Sequence, residues 1–359
     1  MATTKISNSS VLGFNDITGA VQLTSGTTAE RPGSPSNGEM RYNTTDNKVE
    51  YYDGANWIQL NDTAAYFLDF LVIAGGAGGG GGNYNNSGSA QYGGGGGAGG
   101  YRNSYASETS GANSSTETPL TVTSGTTYTI TVGGGGAKGG FGTYNGSTPP
   151  FATPPSGPGF NGGDSSISGA DITTITSVGG GGGGMGSVQN YSSANGKNGG
   201  SGGGKGNGGG CSQVSIGIGT ANQGTNGGGC GGYNGGDGGG AFSGASGLSS
   251  LITGSSVSRG GGGRYGRSVI GRLIGVDGGG SGAYTNTNTN GDNGTNNTGG
   301  GGGGSAGITQ TNAGGNGGSG VVILRMLTST YSGTQSGASV TTDGSDTILT
   351  YTGSGTYTA

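Results

Sequence analysis

Apolar residues are concentrated in a few short runs of this chain, and long polar stretches separate them. The longest run, 66–74, carries one charge, Asp69, among aromatic, aliphatic and β-branched residues. This composition predicts a strand that is buried on both faces. Residues 320–327 predict a second strand of the same kind. Between the two strands the chain is rich in glycine, with almost no side chains to bury.

Alternating patterns predict the other strands. Residues 121–132 predict a hairpin around a Ser-Gly-Thr turn, and its second arm alternates Tyr128, Ile130 and Val132 with threonines. Further short strands are predicted over 172–178, 338–342, 346–352 and 354–358, with glycine turns at 344 and 353–355. We therefore expect a small, sandwich-like system of sheets at the base of the glycine-rich region.

Residues 1–65 have an ordinary glycine content. Runs 39–43 and 48–52 predict a hairpin, and 57–60 predicts the third strand of a β-meander. This module has Tyr42, Tyr51, Tyr52 and Trp57 to bury but few aliphatic residues. Because so small a core is marginal for a monomer, we expect copies of the module to complete one another.

Glycine accounts for 99 of the 359 residues. Ordering a residue costs roughly 1–2 kcal/mol of backbone entropy, and glycine has no side chain whose burial offsets this cost. Contact between backbones is the remaining source of order. Extended helices with three residues per turn can lie side by side and form hydrogen bonds through N–H and C=O groups. Collagen is excluded because residues 75–319 have no strict Gly-x-y period and the chain has only 8 prolines.

The sequence thus predicts a mainly β and irregular protein with three parts. Residues 1–65 are expected to form a β-meander module for attachment or oligomerisation. Residues 66–327 are expected to form a glycine-rich domain in which β-strands anchor an array of packed polyglycine II helices. Residues 328–359 are expected to form a C-terminal β-strand segment that packs on that domain.

Charge and composition exclude several classes of function. The chain has no histidine, so His-dependent catalysis and His-containing metal sites are impossible. Its net charge of −4 argues against a nucleic-acid-binding surface. No phosphate-binding loop and no suggestive carboxylate pair is present. We expect neither an enzyme nor a cofactor or metal site. We also expect no signal peptide or membrane-spanning helix, and synthesis in a cytoplasm.

The two cysteines, Cys211 and Cys230, lie in similar glycine-rich frames. A disulfide between them would close a loop of about 20 residues and add roughly 3 kcal/mol. Two reduced, half-buried thiols are the alternative, and the one that we favour. A metal site would need further ligands that the neighbouring sequence does not offer.

Inserts that carry side chains interrupt the glycine runs, and a packed array has turns only at its two ends. The insert 141–160 combines five prolines with aromatic residues, which suit stacking on sugars or wedging into a membrane protein. The arginines Arg259, Arg264, Arg267 and Arg272 could bind acidic saccharide or phosphate. The candidate receptor-binding residues are Phe141, Tyr144, Phe151, Phe160, Tyr191, Arg264, Tyr265, Arg267 and Tyr284. Alternatively, the aromatic residues only cap the array and the arginines form a solvated face.

Two resemblances extend these expectations. The stretch 28–60, TAERPGSPSNGEMRYNTTDNKVEYYDGANWIQL, resembles a short module of bacteriophage tail-fibre and virion structural proteins. That resemblance implies a virion component, often trimeric. The stretches FLVIAGGAGGGGG, LTVTSGTTYTITVGGGGA and GGSGVVILRM look like the opening, middle and closing strands of the glycine-rich domain of phage tail fibres and adhesins. In that family, loops at one end of the domain contact the host surface.

The resemblances imply a tail-fibre protein that is made in the host cytoplasm and assembled into a virion. Residues 1–65 would contact other tail proteins, and the glycine-rich domain would contact a host polysaccharide or outer-membrane protein. The implied state is a homo-oligomer, preferably a trimer, with no nucleic-acid partner. One alternative is a structural fibre or decoration protein without a receptor. Another is an ice-binding or matrix protein, which would leave the N-terminal module unexplained.

Overall fold

The computed structural model describes residues 23–60, 65–84, 90–140, 142–143, 157–187, 192–207, 211–231, 234–268, 271–285, 290–307 and 312–359. The chain forms two compact units, Met1–Thr63 and Ala64–Ala359. They are called here the N-terminal unit and the glycine-rich unit. No helix among the described residues has the length and apolar character that crossing a membrane requires.

The secondary structure is almost entirely β, which confirms the predicted fold class. The strands are β1 Ser25–Gly26, β2 Met40–Asn43, β3 Lys48–Tyr52, β4 Trp57–Gln59, β5 Ala65–Ile73, β6 Asn83–Tyr84, β7 Ala90–Gln91, β8 Tyr101–Asn103, β9 Leu120–Thr123, β10 Thr127–Thr131, β11 Gly142–Thr143, β12 Ser165–Ser168, β13 Ile175–Ser177, β14 Leu248–Ser250, β15 Val257–Arg259, β16 Val321–Leu327, β17 Gln335–Asp343 and β18 Asp346–Thr358. Short 3₁₀ turns occupy Thr28–Glu30, Gly111–Asn113 and Thr328–Thr330.

The predicted meander of the N-terminal unit is confirmed, with strand order β1-β2-β3-β4. Its interior is unexpected. Among residues 23–60 the buried side chains are Arg41, Asn43 and Glu50, whereas the aromatic residues are half-buried. The Glu50 carboxylate accepts hydrogen bonds from Arg31 at 2.6 and 3.2 Å and from Asn43 at 3.1 Å. A buried polar network therefore takes the place of the expected aromatic core.

Nine strands form the sheet of the glycine-rich unit, with order β13-β12-β10-β18-β16-β5-β8, while β17 pairs with β18 and β9 with β5. Alternate residues of β5 belong to two different apolar clusters. Phe70 and Val72 pack in one, and Leu71 and Ile73 pack in the other. The prediction of burial on both faces is thus confirmed for the second half of β5 and for most of β16, whereas Phe67 in the first half of β5 is 72% exposed.

Two predictions about strand pairing were wrong. The strands over 121–132 form, but they do not pair as a hairpin, because β9 joins β5 while β10 joins β12 and β18. The terminal residue Ala359 lies at the corner between them and bonds to Gly125 and Thr126. The last two predicted strands are one strand, β18, which runs through Gly353 and Gly355. Its first half pairs with β16 and its second half with β10. The base therefore consists of one nine-stranded sheet, and the separate two-stranded sheet β14–β15 packs on its second apolar cluster through Leu248.

The glycine runs form extended segments that pack backbone to backbone. The segment 74–82 lies at the centre and donates N–H bonds with a three-residue period, at N···O distances of 2.8 to 3.3 Å. Its backbone N–H groups donate in three directions, to segments 157–163, 315–318 and 94–100. Its carbonyls accept from segments 180–186, 136–139 and 302–305. Six neighbours and a period of three are the geometry of packed polyglycine II helices.

This hexagonal arrangement repeats across the unit. In the described structure the segments 93–100, 200–207 and 299–307 also exchange hydrogen bonds with six neighbours each. Segments run in both directions, so the chain turns at both ends of the array. At the end called here the base, the segments continue into the nine-stranded sheet. The opposite end is called the far end.

Asparagine and aspartate mark the outer edges of the array, where an edge amide has no neighbouring carbonyl. Their side-chain oxygens accept the backbone N–H of an adjacent segment and recur every third residue. The pairs are Asn161 with Gly182, Asp164 with Gly179, Asn195 with Ser215, Asn198 with Ile218, Asn290 with Ala313, Asn293 with Asn316 and Asn296 with Ser319. The three-residue spacing follows from three residues per turn.

Cys211 and Cys230 are joined by a disulfide, with their Cα atoms 5.9 Å apart. The interpretation of two reduced thiols was therefore wrong. The disulfide lies at the far end. Cys211 precedes the segment 214–219 and Cys230 follows the segment 224–229, so the disulfide links these two segments. These two segments form an outer corner of the array.

The contacts of the glycines predict a sharp difference between Gly→Ala substitutions. A Cβ on Gly302 would lie 2.1 Å from the Gly315 carbonyl oxygen, and one on Gly181 would lie 1.9 Å from that of Lys197. A Cβ on Gly134 would meet no heavy atom within 4 Å. We expect Gly302→Ala and Gly181→Ala each to destabilise the unit by more than about 3 kcal/mol, because backbones on both sides would have to separate. Gly134→Ala should change the free energy of unfolding by less than about 0.5 kcal/mol. Thermal melting by circular dichroism tests this, and equal melting of all three variants would contradict the packing.

Acid is expected to unfold the N-terminal unit through Glu50. The hydrogen bond from Arg31 holds the pKa of the Glu50 carboxyl below its ordinary value. Because the pKa of Glu50 is lower in the folded than in the unfolded state, the ionised carboxylate stabilises the fold above the unfolded-state pKa of about 4.3. This stability is lost as the pH falls through the folded-state pKa. Fluorescence of Trp57, the single tryptophan, should report this loss below about pH 4.3. Glu50→Gln should flatten the pH dependence, and the control Glu39→Gln, which removes a half-buried carboxylate that accepts the Ser36 backbone N–H, should not. An unchanged acid profile in Glu50→Gln would refute the assignment.

Candidate functional site

The far end of the array is where side chains other than glycine gather. Among the described residues, eight stretches of the array end there, at residues 82, 140, 187, 207, 229, 267, 284 and 307. The short strands β6, β7 and β11 form a small sheet at this end. Tyr92, Ala283 and Ala306 form a small buried cluster beneath it. The far end therefore has a small sheet and a buried cluster of its own.

Four of the predicted residues come together on one side of the far end. Arg264 and Tyr265 lie one turn below it, and Arg267 pairs with Tyr284 through a parallel backbone bridge. Asp237 of the neighbouring segment holds the group in place. Its two carboxylate oxygens accept hydrogen bonds at 3.0 Å, one from the Arg264 guanidinium and one from the Tyr265 backbone N–H. Two segments are thereby fixed by one carboxylate.

The predicted arginine cluster is divided, and two of its members, Arg264 and Arg272, are in ion pairs. Arg272 forms an ion pair with Asp292, and the guanidinium of Arg267 donates to the Gly271 carbonyl. Arg259 is buried at the base, at the opposite end of its segment from Arg267, and burial lowers its pKa. The four arginines are therefore split between the two ends of the array, and Asp237 and Asp292 offset the charge of two of them.

Phe160 lies apart from this group, on the side of the array. Its segment is on the other side of the central segment 74–82 from the one that carries Tyr265. The Phe160 ring is 43% exposed, and the Lys197 ammonium lies 5.0 Å from its centroid. Burial lowers the pKa of Lys197. Phe160 and Lys197 thus form a cation–π pair on the side face.

The remaining candidates, Phe141, Tyr144, Phe151 and Tyr191, lie outside the described residues. The chain flanking them, residues 140, 157, 187 and 192, is at the far end. Among the described residues, no group of three or more His, Cys, Asp or Glu side chains could hold a metal ion.

Sequence reasoning missed Asp237 and Tyr92. Asp237 lies within a Gly-Gly-Asp-Gly-Gly sequence. A single acidic residue among glycines is a signal that could have identified it, because Asp164 and Asp292 also bond to neighbouring segments. Tyr92 comes directly before a glycine run and is 3% exposed. Its position next to the glycine run gave no indication that Tyr92 would be buried.

Comparison with known proteins gives one match. The model of a family described as a glycine-rich domain matches residues 56–327. No curated protein and no solved structure matches the chain.

Substitutions at Asp237 separate its two hydrogen bonds. Asp237→Asn keeps an oxygen for the Tyr265 N–H but loses the ion pair with Arg264, which is partly exposed and worth less than about 1 kcal/mol. Asp237→Ala leaves the Tyr265 N–H without its acceptor and should cost about 1–3 kcal/mol. Hydrogen exchange at the Tyr265 amide should accelerate strongly in Asp237→Ala and little in Asp237→Asn. Equal exchange in the two variants would mean that the backbone bond contributes nothing.

Proposed function

The chain belongs to the glycine-rich domain family, and from that premise we propose that it is a phage tail-fibre protein that recognises the host cell surface. In this proposal the far end of the glycine-rich unit contacts the receptor, which is a polysaccharide or an outer-membrane protein. The N-terminal unit contacts other tail proteins, and the fibre is a homo-oligomer, with a trimer favoured. The protein acts as part of a virion.

One observation carries the proposal, namely the difference between the two ends of the array. At the base, the segments continue into a nine-stranded sheet with two apolar clusters. At the far end lie the Arg267–Tyr284 pair and residues 140 and 157, which flank the Pro- and aromatic-rich insert in the sequence. A hydrogen-bonded array that carries aromatic and charged side chains at one end is a suitable scaffold for recognition, because binding residues are often held on connections between regular segments.

The exposed apolar residues of the N-terminal unit support its role in assembly. Met40 and Ile58 are 45% and 38% exposed and both lie opposite Tyr51 in the strand register. Leu60 follows on the same face of the sheet and is 47% exposed. An apolar sheet face of this kind is typical of a surface that becomes covered in an assembly.

A structural fibre without a receptor is the second candidate. The resemblance of residues 28–60 to virion modules favours it as much as it favours a receptor-binding protein. The two functions differ in what the far end does, because a structural fibre needs that end only for folding or assembly.

Adsorption of the purified full chain to intact cells of candidate host strains separates these functions. We expect saturable binding that the double variant Arg267→Ala/Tyr284→Ala weakens at least tenfold, because both side chains lie at the far end. Phe242→Ala, which removes a 42% exposed aromatic residue near the base, is the matched control and should change binding less than twofold. The structural fibre would be favoured by two results together: neither the wild type nor the double variant binds any strain, and the wild type assembles into particles whereas the double variant does not.

A further inference from the structure

A flat side face of the array contains a polar groove that neither the sheet nor the far end includes. Segments 133–140, 313–320 and 291–296 lie side by side there and bond to one another in that order. The groove has a volume of about 530 Å³. Its lining residues are Gly135, Gly136, Ala137, Asn293, Gly294, Asn296, Asn316 and Gly317.

Asparagine side chains connect the three segments across this face. The Asn293 Oδ1 accepts the Asn316 backbone N–H at 2.8 Å, and the Asn316 Oδ1 accepts the Lys138 backbone N–H at 2.9 Å. Each amide is therefore fixed through its oxygen. No described residue accepts a hydrogen bond from the Nδ2 groups of Asn293, Asn296 or Asn316. The groove thus holds oriented donors whose geometry the backbone array determines.

The donors are spaced regularly along the groove. Asn293 and Asn296 are three residues apart, which at about 3.1 Å per residue places them roughly 9 Å apart along the segment axis. The groove floor consists of backbone and one methyl group, that of Ala137. A ligand can therefore approach closely and meet donors at intervals along its length.

The lining selects the chemistry of the ligand. None of the eight residues is charged, so the groove offers no ion-pair partner for phosphate or carboxylate groups. A peptide would find no apolar pocket for an anchoring side chain, because Ala137 is the sole apolar residue in the lining. A hydroxyl-rich chain, in contrast, offers acceptors at regular intervals to fixed amide donors.

We propose that this groove is a binding site for an extended, neutral polysaccharide chain. The site is on the side of the array, and Asn293, Asn296 and Asn316 donate hydrogen bonds to hydroxyl oxygens of the sugar. This proposal goes beyond host recognition at the far end and does not depend on it.

The test measures binding of cellohexaose, mannan and dextran to the full-length chain by titration calorimetry. We expect at least one of these glycans to bind saturably and without salt dependence. Asn293→Ala/Asn316→Ala should weaken that binding at least tenfold. The matched control is Asn195→Ala/Asn198→Ala, which removes two caps of the same kind, those on Ser215 and Ile218, at another edge. It should lower the melting temperature similarly but change glycan affinity less than twofold.

A second variant leaves every asparagine cap in place. Ala137→Ile fills the groove from its exposed floor and should also weaken glycan binding at least tenfold. Arg267→Ala/Tyr284→Ala should leave glycan binding unchanged, which separates this site from the far end. Failure of all three glycans to bind, equal losses in the two asparagine double variants, or salt-dependent binding of heparin alone would overturn the proposal.

Discussion

The structure depends on the close approach of one bare backbone to another. Around the segment 74–82 the neighbours are so near that a Cβ on Gly79 would lie 2.1 Å from the Gly303 carbonyl oxygen. Each hydrogen bond formed at this distance contributes only about 1 kcal/mol, but nearly every residue of the central segments forms one and orders no side chain. Methyl groups are accommodated at a few buried positions, such as Ala77 and Ala98. The sheet at the base supplies the apolar core that the array lacks.

The sequence was sufficient for the elements whose side chains alternate or cluster. Strands β5 and β16, the N-terminal meander and the packing of extended glycine helices all follow from hydrophobic pattern and glycine content. Pairing was harder to predict, because β9 and β10 are joined by a tight turn yet have different partners far along the chain. The order of the segments in the array was also beyond prediction. Runs of glycine have no side-chain pattern that distinguishes one neighbour from another.

The candidate site was predictable in part for the same reason. Arg264, Tyr265, Arg267 and Tyr284 are close in the structure because their segments are neighbours, whereas Phe160 is on a distant segment. Sequence spacing contains no information on that difference. The edge asparagines are more informative, since a repeat of Asn every three residues marks a segment at the boundary of the array. That rule connects a visible sequence pattern to a position in the fold, and it also locates the polar groove.

The three-residue period limits how such a protein can change in length. Each residue rotates an extended segment by about 120°, so one inserted residue would turn every following donor toward the wrong neighbour. An insertion of three residues restores the rotation and lengthens the segment by roughly 9 Å. Neighbouring segments must then grow by the same step to supply partners. Lineages of this fold are therefore expected to differ in whole triplets within the segments, while the turns vary freely in length.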